Sequence, residues 1–194
     1  MKIAILDYKN CSLIPIYYSI KTHNVSVDII QNLDEMDKFD KLVLPGVGAT
    51  NQIMRYLNEN NLTDKIKLFA KKKKILGICA GMQIMAKKLY ENDKCEGLGF
   101  FDADVISINS KVYSQTTNIG WSNINTDNSS YYFCHSYYLN FYDKNDNEII
   151  ASINLKKKVP AVIKKNNVIG VQFHPEKSQR NGRNFLYNFL YDKL

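Results

Sequence analysis

Apolar residues fall into two rhythms along this chain. In the first half, short unbroken apolar runs alternate with stretches whose apolar residues recur every three or four positions. KIAIL (2–6), VSVDII (25–30), KLVL (41–44) and the run Ile75–Ile78 predict strands. Between them SLIPIYYSIKT (12–22), with Ser12 as N-cap and Pro15 in its first turn, predicts a helix, as do NQIMRYLNEN (51–60) and LTDKIKLFAK (62–71). Met82, Met85, Ala86 and Leu89 recur at helical spacing and predict a further helix directly after the strand that ends at Ile78. This alternation implies an α/β fold with a mostly parallel central sheet covered by helices on both faces.

After Gly97 the pattern becomes β-rich. DVISI (104–108), SYYFCHSYYLNF (130–141), EIIASINL (148–155), PAVIKK (160–165) and NVIGVQF (167–173) predict strands, separated by polar turns such as DKNDN (143–147) and KNN (165–167). The last stretch, GRNFLYNFLYDKL (182–194), carries Phe185, Leu186, Phe189 and Leu190 at helical spacing. With no internal repeat and no long linker, residues 1–194 are expected to form a single domain.

Composition changes this picture little. A hydrophobic content of 45% and a charged content of 23% fit a soluble globular chain, and no apolar run reaches the length of a membrane span. The opening MKIAILDYKN is too short in apolar residues for a signal-peptide core. Cys11, Cys79, Cys95 and Cys134 show neither CxxC pairing nor zinc spacing. We therefore expect free thiols in a reducing cytoplasm, with no metal and no cofactor. The net charge of +7 comes largely from the lysine runs 71–74, 156–158 and 164–165. No nucleic-acid recognition element accompanies them, so solvated surface is expected and no nucleic-acid partner.

Candidate chemistry centres on Cys79, set in Gly77-Ile78-Cys79-Ala80-Gly81 where strand passes into helix. A glycine two residues to either side permits a sharp turn without a Cβ clash, the pattern of a nucleophile elbow with sulfur in place of oxygen. A helix N-terminus favours the thiolate, the form that attacks. A lone cysteine is more often a small buried apolar residue, so a base is required. His23 lies in the polar turn KTHNVS and reads as surface. His135, in YFCHSYY, reads equally as a hydrogen-bonded core residue or a functional one. His174 follows the apolar strand and precedes Pro175, which biases it toward an extended conformation. An extended His174-Pro175-Glu176 puts imidazole and carboxylate on one side of the chain. Glu176 would then orient the ring and leave its other nitrogen for the thiol, a Cys–His–acid triad. The glycine-rich turn LPGVGAT (44–50), through the Val47 amide and its neighbours Gly46 and Gly48, lets backbone approach a ligand closely. Together with the Ala80 amide it offers two donors toward one oxygen.

LPGVGA, LGICAGMQIM, GLG (97–99), IGW (119–121), FCHSYY and GVQFHPEKS stand in the order found in class I glutamine amidotransferases. More narrowly, the chain resembles the glutaminase subunit of imidazole glycerol phosphate synthase over essentially its whole length. The resemblance implies hydrolysis of L-glutamine to glutamate and ammonia, with Cys79 as nucleophile, His174 as base and then acid, and Glu176 as orienter. It further implies that Gln83 and the segment His135, Ser136 and Tyr137 hold the substrate. The implied partner is a synthase (cyclase) subunit with a (β/α)8 barrel, forming a heterodimer in which Lys177 and Trp121 lie at the boundary. An extended chain would turn Lys177 away from the thiol. Three readings stay open: histidine biosynthesis, an amidotransferase supplying ammonia to another synthase such as one modifying a surface-glycan or flagellin sugar, and a non-catalytic or basic binding module. The opening DYKNCSL departs from the family pattern, with Lys9 and Cys11 replacing glycines, so that turn must either change conformation or tolerate strain.

Overall fold

Consecutive residues of a strand point to opposite faces, so a strand covered on both sides carries no polar alternation. In this chain Ile3, Ile5, Val43, Leu76 and Ile78 pack in one core with Ile16, Ile20, Phe185 and Phe189. Their neighbours Ala4, Leu6, Leu42, Leu44 and Ile75 pack in another with Ile53, Leu57, Ile66 and Phe69. The computed structural model describes residues 1–9, 13–109, 115–126, 129–143 and 148–194. Its strands are β1 (Lys2–Leu6), β2 (Ser26–Ile30), β3 (Lys41–Leu44), β4 (Lys74–Ile78), β5 (Ala86–Leu89), β6 (Cys95–Glu96), β7 (Phe101–Ser107), β8 (Asn118–Asn123), β9 (Ser130–His135), β10 (Tyr137–Phe141), β11 (Ile149–Leu155), β12 (Lys157–Lys165) and β13 (Val168–Val171). Its helices are α1 (Ile14–Lys21), α2 (Thr50–Glu59), α3 (Leu62–Lys72), α4 (Ala80–Gln83) and α5 (Gln179–Leu190).

The central sheet has the order β11-β12-β13-β4-β3-β1-β2. The five strands from β13 to β2 are parallel, and β12 and β11 extend the sheet antiparallel. Helices α1 and α5 cover one face and α2 and α3 the other. A second sheet, β10-β7-β5-β6, and the hairpin β8-β9 complete the β-rich half. The pairing that matters most for chemistry is β13 beside β4, with Val171 opposite Ile78. It brings the carboxyl ends of two sequence-distant strands together, where open α/β sheets place their ligands.

Several expectations are corrected. The helix after Cys79 is a single turn, and Ala86–Leu89 forms β5 against β7. Residues 80–86 are all buried, so their apolar spacing carried no information about one exposed face. The long run SYYFCHSYYLNF breaks at Ser136 into β9, paired with β8, and β10, paired with β7. Helix α1 begins at Ile14 with Leu13 at its cap; the expected cap Ser12 lies outside the described residues, as does Cys11. Lys9 takes a φ of 64°, so at this position the departure from glycine is met by a left-handed lysine. Parts of the lysine runs are structural: Lys73 donates to the carbonyls of Met36, Asp37 and Phe39, and Lys74 pairs with Asp192 at 3.0 Å. Among the described residues, no helix is long and apolar enough to cross a membrane.

Candidate active site

Cys79 follows β4 and caps α4 with φ 51° and ψ −110°, a backbone conformation that L residues rarely hold. Two hydrogen bonds over-determine it: the Cys79 amide donates to Val171 O at 2.7 Å, and the Gln83 amide donates to Cys79 O at 3.0 Å. Glycines make the close approach possible. A Cβ on Gly81 would lie 2.0 Å from Leu44 O, and one on Gly46 would lie 1.9 Å from Ile78 O. The glycine-rich turn after β3 is thus pressed against the elbow. Ala80 is the first residue of α4, and its N–H has no partner within the helix.

His174 lies beyond the end of β13, 2% exposed. Its amide donates to Tyr132 O at 2.9 Å, and Ser178 Oγ donates to its carbonyl at 2.6 Å, so its backbone is held from two sides. The Nδ1 atom of the ring lies 2.8 Å from Glu176 Oε1. The contact is made, but not by the extended chain expected from sequence: Pro175–Lys177 form one 3₁₀ turn, which curls Glu176 back toward the ring. With Nδ1 so occupied, Nε2 is left for the Cys79 thiol. Burial alone would lower the pKa of His174, but its hydrogen bonds to Cys79 and Glu176 outweigh that and raise it to about 10. Both hydrogen bonds thus favour the protonated ring beside the sulfur.

The thiol opens on a cavity of about 280 Å³ lined by Gly46, Val47, Gly48, Cys79, Ala80, Gln83, Glu91, Ile119, Cys134, His135, Ser136 and Tyr137. Sequence reasoning had named nine of these twelve residues as site residues. Gln83 is buried and donates through Nε2 to Tyr137 O at 2.8 Å. His135 is also buried, and its Nδ1 lies 2.9 Å from the same carbonyl, with Asn118 Nδ2 3.1 Å from Nε2. Burial, and secondarily the charge of His174, lower its pKa to about 4 despite the Tyr137 carbonyl. Of its two sequence readings, the structure favours the hydrogen-bonded core residue at the cavity edge. His23 stands apart, in the turn between α1 and β2, its carbonyl accepting from Tyr191 Oη.

The sequence reading missed Glu91, Ile119, Cys134 and, close behind the thiol, Gln172. Glu91 Oε2 accepts from the Thr50 amide and hydroxyl at 2.7 and 2.8 Å, and Glu91 is the carboxylate in the described cavity lining. Nothing in YEND (90–93) marked it, because a lone glutamate in a polar stretch is ordinary surface composition. Gln172 had a signal, a polar residue inside an apolar strand two positions before His174. Away from the cavity, Trp121 is 49% exposed and its ring meets that of Tyr132 edge-on at 6.1 Å. The Lys177 ammonium lies 5.9 Å from the same Tyr132 ring centroid. The 3₁₀ turn, not an extended strand, places it there.

Comparison with known proteins agrees with this geometry. Residues 8–193 match the family model described as glutamine amidotransferase class-I. The chain is 38% identical to imidazole glycerol phosphate synthase subunit HisH of Lactococcus lactis, covering 97% of this chain and 98% of that protein. It is 33% identical to the protein named subunit HisH 1 of Campylobacter jejuni, with the same coverage. Among solved structures, PurLQS from Thermotoga maritima shares the fold with a TM-score of 0.76 at 16% identity, covering 100% of this chain and 99% of that one.

Proposed function

The chain belongs to the class-I glutamine amidotransferase family, and on that premise we propose that it is the glutamine-hydrolysing subunit of an imidazole glycerol phosphate synthase. It hydrolyses L-glutamine to glutamate and passes the ammonia to a separate cyclase subunit, a (β/α)8 barrel, as a heterodimer. The observation that carries the reading is the meeting of three groups: a cysteine on a strained elbow that opens on the cavity, a buried histidine hydrogen-bonded to it, and a carboxylate 2.8 Å from the far ring nitrogen.

The chemistry follows from those positions. Cys79 Sγ attacks the side-chain amide carbon of glutamine, and the carbonyl oxygen gains charge as the C–N bond weakens. The amides of Ala80 and Val47 border the space where that oxygen forms and serve as its donors. His174 gives its proton to the departing nitrogen, ammonia leaves, and a thioester remains. Water then attacks the thioester, His174 takes a proton from it, and glutamate is released with the thiolate restored. Glu176 keeps the ring oriented and its charge balanced throughout. At the other end of the substrate, Glu91 supplies a negative group for the ammonium of an α-amino acid. Gly46, Gly48, Gln83 and the His135-Ser136-Tyr137 backbone wall in the rest.

Glutamate release by the purified chain, with and without a candidate cyclase subunit, tests the reading. Cys79→Ala is expected to abolish hydrolysis with the fold intact, since alanine fits the elbow and the loss is confined to the hydrogen bonds made to the sulfur, that from Gln172 Nε2 among them. Glutamine should protect Cys79 from alkylation ahead of Cys11, Cys95 and Cys134. Mass spectrometry that identified a different cysteine as the protected, essential thiol would overturn the assignment.

A further inference from the structure

Period-two alternation along the end of β13 turns Gln172 and His174 to the same side, toward the elbow, while Phe173 points away. Phe173 lies in an aromatic cluster, stacked 4.0 Å from Tyr131 and edge-on to Phe133 and Phe185. Gln172 is 0% exposed. A fully buried carboxamide is costly unless its hydrogen bonds are made, and this one is committed at both ends. Its Oε1 lies 3.1 Å from Gln83 Nε2, and its Nε2 lies 3.6 Å from Cys79 Sγ.

The direction of each bond is determined by a backbone group. Tyr137 O can only accept, so Gln83 must present Nε2 to it. That same Nε2 faces Gln172, which must answer with Oε1. The Gln172 amide is thereby oriented with its N–H group toward sulfur. A flipped amide would set two NH₂ groups against each other and a carbonyl oxygen against the thiolate. Cys134 O also lies 3.7 Å from the sulfur, an acceptor that suits a neutral thiol. Gln172 therefore offers the sulfur a second donor, besides His174.

We propose that Gln172 is a further catalytic residue, whose carboxamide donates to the Cys79 sulfur and stabilises its negative charge before attack and after the thioester is hydrolysed. The proposal rests on the glutaminase reading above for the reaction it serves. It also predicts a coupling: Gln83, which lines the substrate cavity, sets the orientation of the group that holds the nucleophile.

The test uses the full chain with Gln172→Met, which keeps similar volume but carries no N–H donor. The readouts are the ultraviolet absorbance of the thiolate, with Cys79→Ala as the blank, and the rate of Cys79 alkylation by iodoacetamide at neutral pH. Loss of a hydrogen bond to a charged group should lower the alkylation rate about tenfold or more, and lower kcat with KM changed less. If Gln172→Met does not fold, Gln172→Leu, which likewise carries no N–H donor, takes its place, and the same losses are expected. Unchanged thiolate absorbance and alkylation in either folded variant would reduce Gln172 to a packing residue and overturn the proposal. Both readouts are taken without glutamine. A wild-type chain that failed to hydrolyse glutamine, while the variant still lost thiolate, would sink the proposed reaction and leave the Gln172 assignment standing.

Discussion

A Cβ atom placed on Gly46 would lie 2.4 Å from the backbone nitrogen of Ala80. The turn after β3 and the elbow after β4 are therefore in contact through backbone alone, and no L side chain fits between them. The sequence placed these two segments near the same chemistry. Their contact is a property of β3 and β4 lying side by side in parallel register.

Gly46→Ala should accordingly act on both stability and rate. Overpacking against immovable backbone typically costs about 1–3 kcal/mol, read as a lower denaturant midpoint, and the displaced Val47 and Ala80 amides should depress hydrolysis further. Val47→Ala, at a 40% exposed side chain in the same turn, should leave the denaturant midpoint where it was. Equal stability of Gly46→Ala and the wild type would show that the turn can move away from the elbow.

His174 should titrate with its midpoint raised, to about 10, followed by NMR of labelled histidine. A group whose pKa rises on folding is stabilising while protonated. Its contribution is complete below the ordinary value of 6.5 and is lost as pH climbs through the folded value. Glu176→Gln removes one of the raising causes, so the midpoint should fall, and hydrolysis should fall less than in His174→Asn. The histidine substitution should cost roughly 10²–10⁴-fold, the usual scale of general acid–base catalysis. An unmoved midpoint in Glu176→Gln would detach the carboxylate from its assigned role.

His135 should act in the opposite sense. Its pKa is lowered by burial to about 4, so the unfolded chain takes up a proton that the folded one refuses. Stability linked to this residue is present above the ordinary histidine value and is lost as pH falls through the folded one. Denaturant midpoints measured on the acid side of neutrality should decline less steeply in His135→Gln than in the wild type. Parallel profiles would mean that other groups control the acid limb.

Lys177→Ala should leave basal hydrolysis nearly unchanged but weaken activation by a cyclase subunit. Lys177 is exposed, and with Trp121 it flanks the Tyr132 ring, forming a surface with one cation and exposed aromatic area beside the triad turn. Truncating one member of a buried charge pair at an interface costs about 2–5 kcal/mol. Glutamate release titrated with partner is the measurement. Superimposable curves for variant and wild type would remove Lys177 from the interface.

What the sequence determined by itself was whatever depends on neighbours along the chain. Unbroken apolar runs identified β1, β3 and β4 almost to the residue, because both faces of those strands are covered. The glycines around Cys79 marked the elbow, because a sharp turn needs them locally. Tertiary structure decided the rest. Residues 80–86 are buried on all sides, so whether they form a helix or pass into β5 depended on the pairing of β5 with β7. Glu176 reaches His174 through a 3₁₀ turn, although local bias alone pointed to an extended chain. Glu91 and Gln172 gained their positions from contacts to Thr50, Gln83 and Cys79, partners distant in sequence. The pairing of β13 with β4 brought Cys79 and His174 together at the carboxyl end of the sheet. Hydrogen bonds between strands are backbone interactions that nearly every side chain permits, so which strands become neighbours is settled by how the whole set of apolar faces packs.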